Sequence, residues 1–144
     1  MTDSEGFNTL RAPAVLDRLH DFRDFVLEKA EELGLPTETN GKLELVMEEL
    51  VVNVIHYAYP DGQGELEVHC LMEESLPRRF CVRLRDWGAP FNPLASEMPN
   101  TELDVEDRPV GGLGIFLAEE MADSIKYERK HDSNVLIFCL DLPE

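Results

Sequence analysis

Between Asn40 and Tyr59 the chain carries Leu43, Leu45, Val46, Met47, Leu50, Val51, Val52, Val54 and Ile55, with Pro60, Asp61 and Gly62 following. At helical spacing these residues leave almost no polar face, so the helix they predict has to be buried on most sides. Three polar residues interrupt it. Glu49, Asn53 and His56 stand at i, i+4 and i+7, within about 60° of one another on one face, and Leu45 and Val52 beside them are apolar. Leaving a buried carboxylate and amide without partners costs on the order of several kcal/mol. Either loop backbone or an exposed edge satisfies the trio, or it forms a metal or acid–base site. An amide oxygen is a hard ligand suited to Mg²⁺, and a nearby carboxylate can accept a proton.

Upstream, Leu16, Leu19, Phe22, Val26, Ala30 and Leu33 recur at three- and four-residue steps, which predicts an amphipathic helix over 13–33 ended by Gly34 and Pro36. A short strand near 7–10 would precede it. Downstream, Leu66, Val68, Cys70 and Met72 alternate with polar neighbours, as do Phe80, Val82 and Leu84, predicting a hairpin across 74–78. Residues 89–111 hold Pro90, Pro93, Pro99 and Pro109 and no sustained period. A loop that long in a compact domain is usually functional. A helix over 112–122 and strands at 124–129 and 134–142 complete the chain. Helices and antiparallel strands come in segregated groups, which argues for an α+β sandwich with a mainly antiparallel sheet.

With 144 residues, 43% of them hydrophobic, the chain has the length and the core of one domain spanning 1–144. Its 30 acidic residues against 13 basic ones give a net charge of −17. That charge argues against sequence-independent nucleic-acid binding and against docking on anionic lipid. No apolar run reaches the ~18–20 residues of a membrane span, and the acidic start, with Asp3 and Glu5, does not read as a signal peptide. Cys70, Cys81 and Cys139 are widely spaced with no Cys-x-x-Cys pair, which suits buried free thiols in a reducing cytoplasm and gives no zinc signal.

Two more elements carry chemistry. Asp86-Trp87-Gly88 stands where a strand ends, and Gly111-Gly112-Leu113-Gly114 opens a helix. Glycines there let backbone N–H groups approach phosphate oxygens at the positive helix end, although the Lys and Ser/Thr of a P-loop are missing. Each alone could be a plain turn. Together and in this order, Glu49-x-x-x-Asn53-x-x-His56, Asp86-Trp-Gly88-Ala-Pro-Phe and Arg108-Pro-Val-Gly-Gly112-Leu-Gly114-Ile resemble the N, G1 and G2 boxes of the GHKL (Bergerat-fold) ATPases. Within that superfamily the chain is most similar to the bacterial anti-sigma-factor serine/threonine-protein kinases.

The resemblance implies a two-layer α/β sandwich, a mixed and mainly antiparallel sheet with helices on one face, and ATP with Mg²⁺ as cofactors. Asn53 would bind the metal, and Glu49 would orient or deprotonate an attacking hydroxyl. Asp86 would accept a hydrogen bond from the adenine amino group, with Gly88 leaving room for the base. Gly112 and Gly114 would line the phosphates under a mobile lid of residues 94–110. In that lid Arg108 is the sole cation among Glu97, Glu102, Asp104, Glu106 and Asp107, so either it contacts phosphate or it sits in a surface ion pair. His56 has a supporting role, and a role for Asp132-Ser-Asn134, all that represents the family's last glycine-rich segment, is doubtful. A STAS-type anti-anti-sigma protein and a sigma factor are the implied partners, with a homodimer also implied. Two readings compete: a nucleotide-gated binding module without kinase activity, and a histidine kinase fragment with His20 as phosphoacceptor. The second is weak, because the stretch between His20 and Glu49 is too short for a dimerising hairpin.

Overall fold

The computed structural model describes residues 8–60, 63–95 and 112–143. Strand β1 (Thr9–Pro13) leads through a single turn at Leu16–Arg18 into helix α1 (Leu19–Glu32). Helix α2 (Asn40–Asn53) continues as a π-helical turn over Val54–Ala58. Strands β2 (Glu65–Glu73) and β3 (Arg79–Asp86) follow, then helix α3 (Gly112–Met121) and strands β4 (Ser124–Lys130) and β5 (Ser133–Asp141).

The strands form one sheet in the order β1-β2-β3-β5-β4. Every neighbouring pair is antiparallel, so the sheet is α+β in character as expected but not mixed among the described residues. Alternate residues point to the helices and away from them, and the register sorts the inward ones into rows. Phe80 faces Met72 and Leu140; Val82 faces Cys70 and Phe138; Leu84 faces Val68 and Leu136. Each of these rows is apolar. The next row, at the end of the strands, changes character: Leu66, Asp86, Asn134 and Arg129. That change places the site.

Phe22 and Val26 of α1, Leu43, Val46, Met47, Leu50 and Val51 of α2, and Ile115 and Ala118 of α3 pack with the apolar rows into one core. Helix α2 touches both other helices, the sandwiched position its apolar sequence demands. Helix α1 starts later than its apolar spacing predicts. Pro13 ends a strand instead, and Leu16 is 56% exposed, outside the stripe. It stops as predicted: Gly34 adopts φ +85°, its N–H bonds to Glu31 O, and the Leu35 N–H bonds to Ala30 O, a Schellman motif.

One expectation about the cysteines is overturned. Cys70 is a buried free thiol, its pKa pushed up to about 12 by burial. Cys81 and Cys139 are not free; they stand directly opposite each other on β3 and β5 and are joined in a disulfide. No helix is long and apolar enough to cross a membrane among the described residues.

Phe138 is fully buried at the middle of β5. Phe138→Ala should lower unfolding free energy by about 3–5 kcal/mol in urea denaturation; a loss under about 1 kcal/mol would mean that this row does not carry the core.

Candidate functional site

Helix α2 brings the first polar group. Asn53 is 3% exposed, and its Nδ2 donates to Glu49 O at 2.8 Å. A carbonyl needs a donor, so this bond fixes the amide orientation. Nδ2 is committed, and among the described residues Oδ1 takes no hydrogen bond. Glu49, half-buried one turn earlier, has its carboxyl raised above the ordinary carboxylate range by burial and by the neighbouring Glu48 charge. His56 does not join them. The backbone widens into the π turn directly after Asn53, which rotates later residues out of the α-helical phase, and His56 is exposed.

Strand β3 brings the second. Asp86 is 5% exposed, and its Oδ1 accepts from Asn134 Nδ2 at 2.8 Å and from Gly88 N at 3.0 Å. Oδ2 accepts nothing among the described residues, so it is the atom left for a ligand. Burial raises the Asp86 carboxyl, opposed by the Asn134 and Gly88 hydrogen bonds and the nearby Arg129 charge.

Asn134, which no motif in the sequence singles out, is the hub of the structure around Asp86. Its Nδ2 also donates to Ala89 O at 2.9 Å, while its Oδ1 accepts from Tyr127 Oη, from Phe91 N at 3.2 Å and from Arg129 Nη1 at 3.2 Å. One side chain thereby pins the segment after β3 to β4 and β5. Arg129 adds a bond to Gly88 O at 2.9 Å. No local motif marks these residues; the signal is the register that sets Asn134 opposite both Asp86 and Arg129.

Gly88 is required for a reason other than room for a base. A Cβ there would overlap the Ala58 carbonyl group at the end of the π turn, and Ala89 N donates to that same Ala58 O at 3.3 Å. Tyr59 completes the seam. Its hydroxyl donates to Glu65 O at 2.8 Å and accepts from Trp87 N at 2.7 Å. Tyr57 stacks on Phe91, centroids 4.6 Å apart.

Asn53, Asp86 and Asn134 line one cavity, with Leu50, Phe91 and Tyr127. It encloses about 20 Å³, room for about one water, so a nucleoside needs Phe91 and its neighbours to move outward. Glu49 is not among the cavity's lining residues. Gly112 and Gly114 fall in the first turn of α3, where backbone N–H groups have no intrahelical partner. Arg108 and most of the expected lid lie outside the described residues. Among the described residues no cluster of His, Cys, Asp and Glu could hold a metal ion by itself. Asn53 Oδ1, left without a hydrogen bond among the described residues, is an oxygen of the kind that hard divalent ions take.

A helix-lined sheet with a buried Asn on the long helix, a buried Asp at a strand end and a glycine-opened helix defines a class. The chain belongs to the histidine kinase-like ATPase domain family, whose pattern matches residues 12–140, and that membership implies ATP use. Among named proteins it is similar to the serine-protein kinase RsbW of Listeria monocytogenes serotype 4a (strain HCC23), 28% identical over 123 residues covering 82% of this chain and 76% of that one. RsbW of L. monocytogenes serotype 4b (strain CLIP80459) matches equally. Two solved structures share the fold. The RsbU and RsbW domains of Rv1364c from Mycobacterium tuberculosis align over 93% of this chain, with TM-score 0.61 and 14% identity. This chain spans only 32% of that longer one. The catalytic domain of histidine kinase ThkA aligns over 94% of this chain and 99% of its own, with TM-score 0.50 and 15% identity.

Asn134→Ala should cost about 1–3 kcal/mol by stranding buried donors and acceptors. It should also raise the Asp86 carboxyl further by removing a bond to its charged form. Since a raised folded pKa makes stability fall as pH rises through it, the variant's deficit should grow from acid to neutral pH. Urea denaturation at the two ends of that range reads it, and a deficit larger in acid would refute the assignment.

Proposed function

We propose that the chain is an ATP-binding serine/threonine-protein kinase of the anti-sigma type, phosphorylating a STAS anti-anti-sigma protein and holding a sigma factor when that antagonist is absent. The observation that carries this reading is the single cavity bounded by Asn53, Asp86 and Asn134. In it Asn53 and Asp86 each have one atom committed to the protein and one left over. Similarity to RsbW, itself a serine-protein kinase, supports the choice of reaction.

In this reading Asp86 Oδ2 accepts from the exocyclic amine of adenine, while Asn134 and Gly88 N–H hold the carboxylate in place. The N–H groups of Gly112 and Gly114 meet phosphate oxygens at the α3 N-terminus, and Arg108 adds a cation from the lid. Asn53 Oδ1 is the residue atom that would hold Mg²⁺ together with the phosphates. Bound there, Mg²⁺ would offset the charge of the triphosphate and of the acidic lid. Glu49 orients the serine hydroxyl and takes its proton. The hydroxyl oxygen bonds to the γ-phosphorus as the bond to the β–γ bridging oxygen breaks, and ADP leaves. A carboxylate raised by burial is a stronger base than an exposed one, as that step needs.

A second reading, a nucleotide-gated binding module without turnover, has one observation in its favour: Glu49 does not line the cavity.

Incubation of the chain with labelled ATP, Mg²⁺ and a STAS partner separates the two, since only the kinase transfers label to a serine. Glu49→Gln should keep ATP binding and lose transfer by about 10²-fold or more; undiminished transfer would remove Glu49 as base. Because the Glu49 carboxyl is raised on folding, its ionised form destabilises the fold at neutral pH. Glu49→Gln should therefore melt no lower than wild type at pH 7, and a clear loss of melting temperature there would contradict the burial argument. Asn53→Ala should weaken Mg·ATP binding by at least about tenfold in titration calorimetry, whereas unchanged affinity would exclude the ligand role.

A further inference from the structure

The sheet has a second face, turned away from the helices, and the register defines it as clearly as the first. One row across it reads Arg11, Glu67, Arg85, Val135 and Glu128, and the next reads Thr9, His69, Arg83, Ile137 and Lys126. Over β3, β5 and β4 this face sinks into a concavity of about 340 Å³, with Arg83, Arg85, Lys126 and Lys130 around a floor of Val135 and Ile137. Glu128 is the one carboxylate lining it. In a chain with 30 acidic and 13 basic residues, four cations against one acid is a reversal of the overall charge.

The cations are incompletely used. Lys126 and Lys130 are exposed and have no ion-pair partner among the described residues. Arg83 reaches Glu67 through Nη2 at 3.5 Å, while its Nε is buried without an acceptor. Arg85 spends Nε on Ser133 Oγ at 3.0 Å and lies 5.3 Å from the Trp87 ring centroid, with its other nitrogens left to a ligand.

We propose that this concavity docks an acidic segment of a partner protein in extended conformation, with carboxylates on alternate residues. Arg83 and Arg85 point the same way two residues apart on β3, about 6.6–6.8 Å along the strand. That is the spacing of alternate side chains in an extended segment, so carboxylates at i and i+2 meet the two guanidinium groups. The methylenes of those same acidic side chains lie over Val135 and Ile137, because the intervening residues of an extended segment point away from the sheet. Nucleic acid fits less well. A polyphosphate longer than the four-cation patch meets the field of a −17 protein. A second copy bound through the same concavity would set cations against cations. The surface lies on the opposite face of the sheet from the cavity of Asn53 and Asp86, and its test is independent of the nucleotide reading.

The test uses the full chain and a fluorescent peptide alternating Glu with Val and Leu, with a Lys-for-Glu peptide and a single-stranded oligothymidine as comparators. The Glu peptide should bind, weaken at least tenfold from about 50 to 300 mM salt, and weaken at least tenfold again in Lys126→Glu/Lys130→Glu. Lys126→Gln/Lys130→Gln should fall between, with all three proteins melting alike. No binding of the Glu peptide, equal binding by the variants, or tighter binding of oligothymidine than of the Glu peptide through the same lysines would overturn the proposal. So would a concentration-dependent dimer in sedimentation that the charge-reversed variant abolishes.

Discussion

Among the described residues Asp86 and Asn134 belong to the one inward row of the sheet that is not apolar, and the hydrogen bond between them decides where the surrounding backbone can go. A buried carboxylate this deep is tolerated only with partners. The nearest opposite strand supplies an amide rather than a cation. An amide has two ends: Asn134 Nδ2 serves Asp86 and Ala89, and its Oδ1 collects Tyr127, Phe91 and Arg129. A hydroxyl has one hydrogen where two acceptors stand, and a lone cation accepts nothing. The segment after β3 is therefore held from the β5 side by Asn134 and from the helix side by Ala58 and Tyr59. Between these two clamps Gly88 has no space for a side chain.

The site works against the stability of the domain that carries it. Asp86 in the cavity and Glu49, one turn before Asn53, are both raised by burial, so each is less comfortable ionised in the fold than in the unfolded chain. The helix that bears Asn53 changes to a π turn at that residue, giving up regular α-helical spacing within an otherwise apolar segment. Such departures collect where a chain must bind something. The offsetting stability comes from the three apolar rows and the apolar residues of the three helices packed on them.

This division explains what could be read from the sequence. Period-two and helical spacing located β2, β3, β4, β5 and α2, because those elements are buried by the same apolar residues that create the pattern. Helix α1 was misplaced at its start because Leu16 fits the spacing yet faces solvent. Glu49 and Asn53 are legible as polar breaks in an apolar helix; residue spacing groups His56 with them but cannot anticipate the π turn that leaves it exposed. Asn134 could not be singled out, since its importance lies in strand register between residues 48 positions apart. The same holds for Cys81 and Cys139, which look unrelated along the chain and are cross-strand neighbours in the sheet. Gly88 was found for its motif, but the atom that demands it belongs to Ala58, on another element.

Charge is the remaining constraint, and the two faces of the sheet divide it unequally. On the inward face the one cation of the polar row is Arg129, and the bonds of its guanidinium run to Gly88 O and Asn134 Oδ1. Through Nη1 it holds a loop, and its charge lowers the Asp86 carboxyl from a distance. On the outward face Arg83, Arg85, Lys126 and Lys130 gather around one concavity. Backbone N–H groups at a helix start and a divalent ion can neutralise a small, fixed triphosphate without side-chain cations. They cannot recognise an acidic protein segment, whose carboxylates are spread along a strand and need mobile partners at matching intervals. In the proposed reading, dipoles and a metal would serve the nucleotide and leave the few arginines and lysines of a −17 chain for the face where spacing matters. A mutation that moved a lysine from β4 into the nucleotide cavity would therefore weaken the outward face without supplying the geometry that the inward one uses.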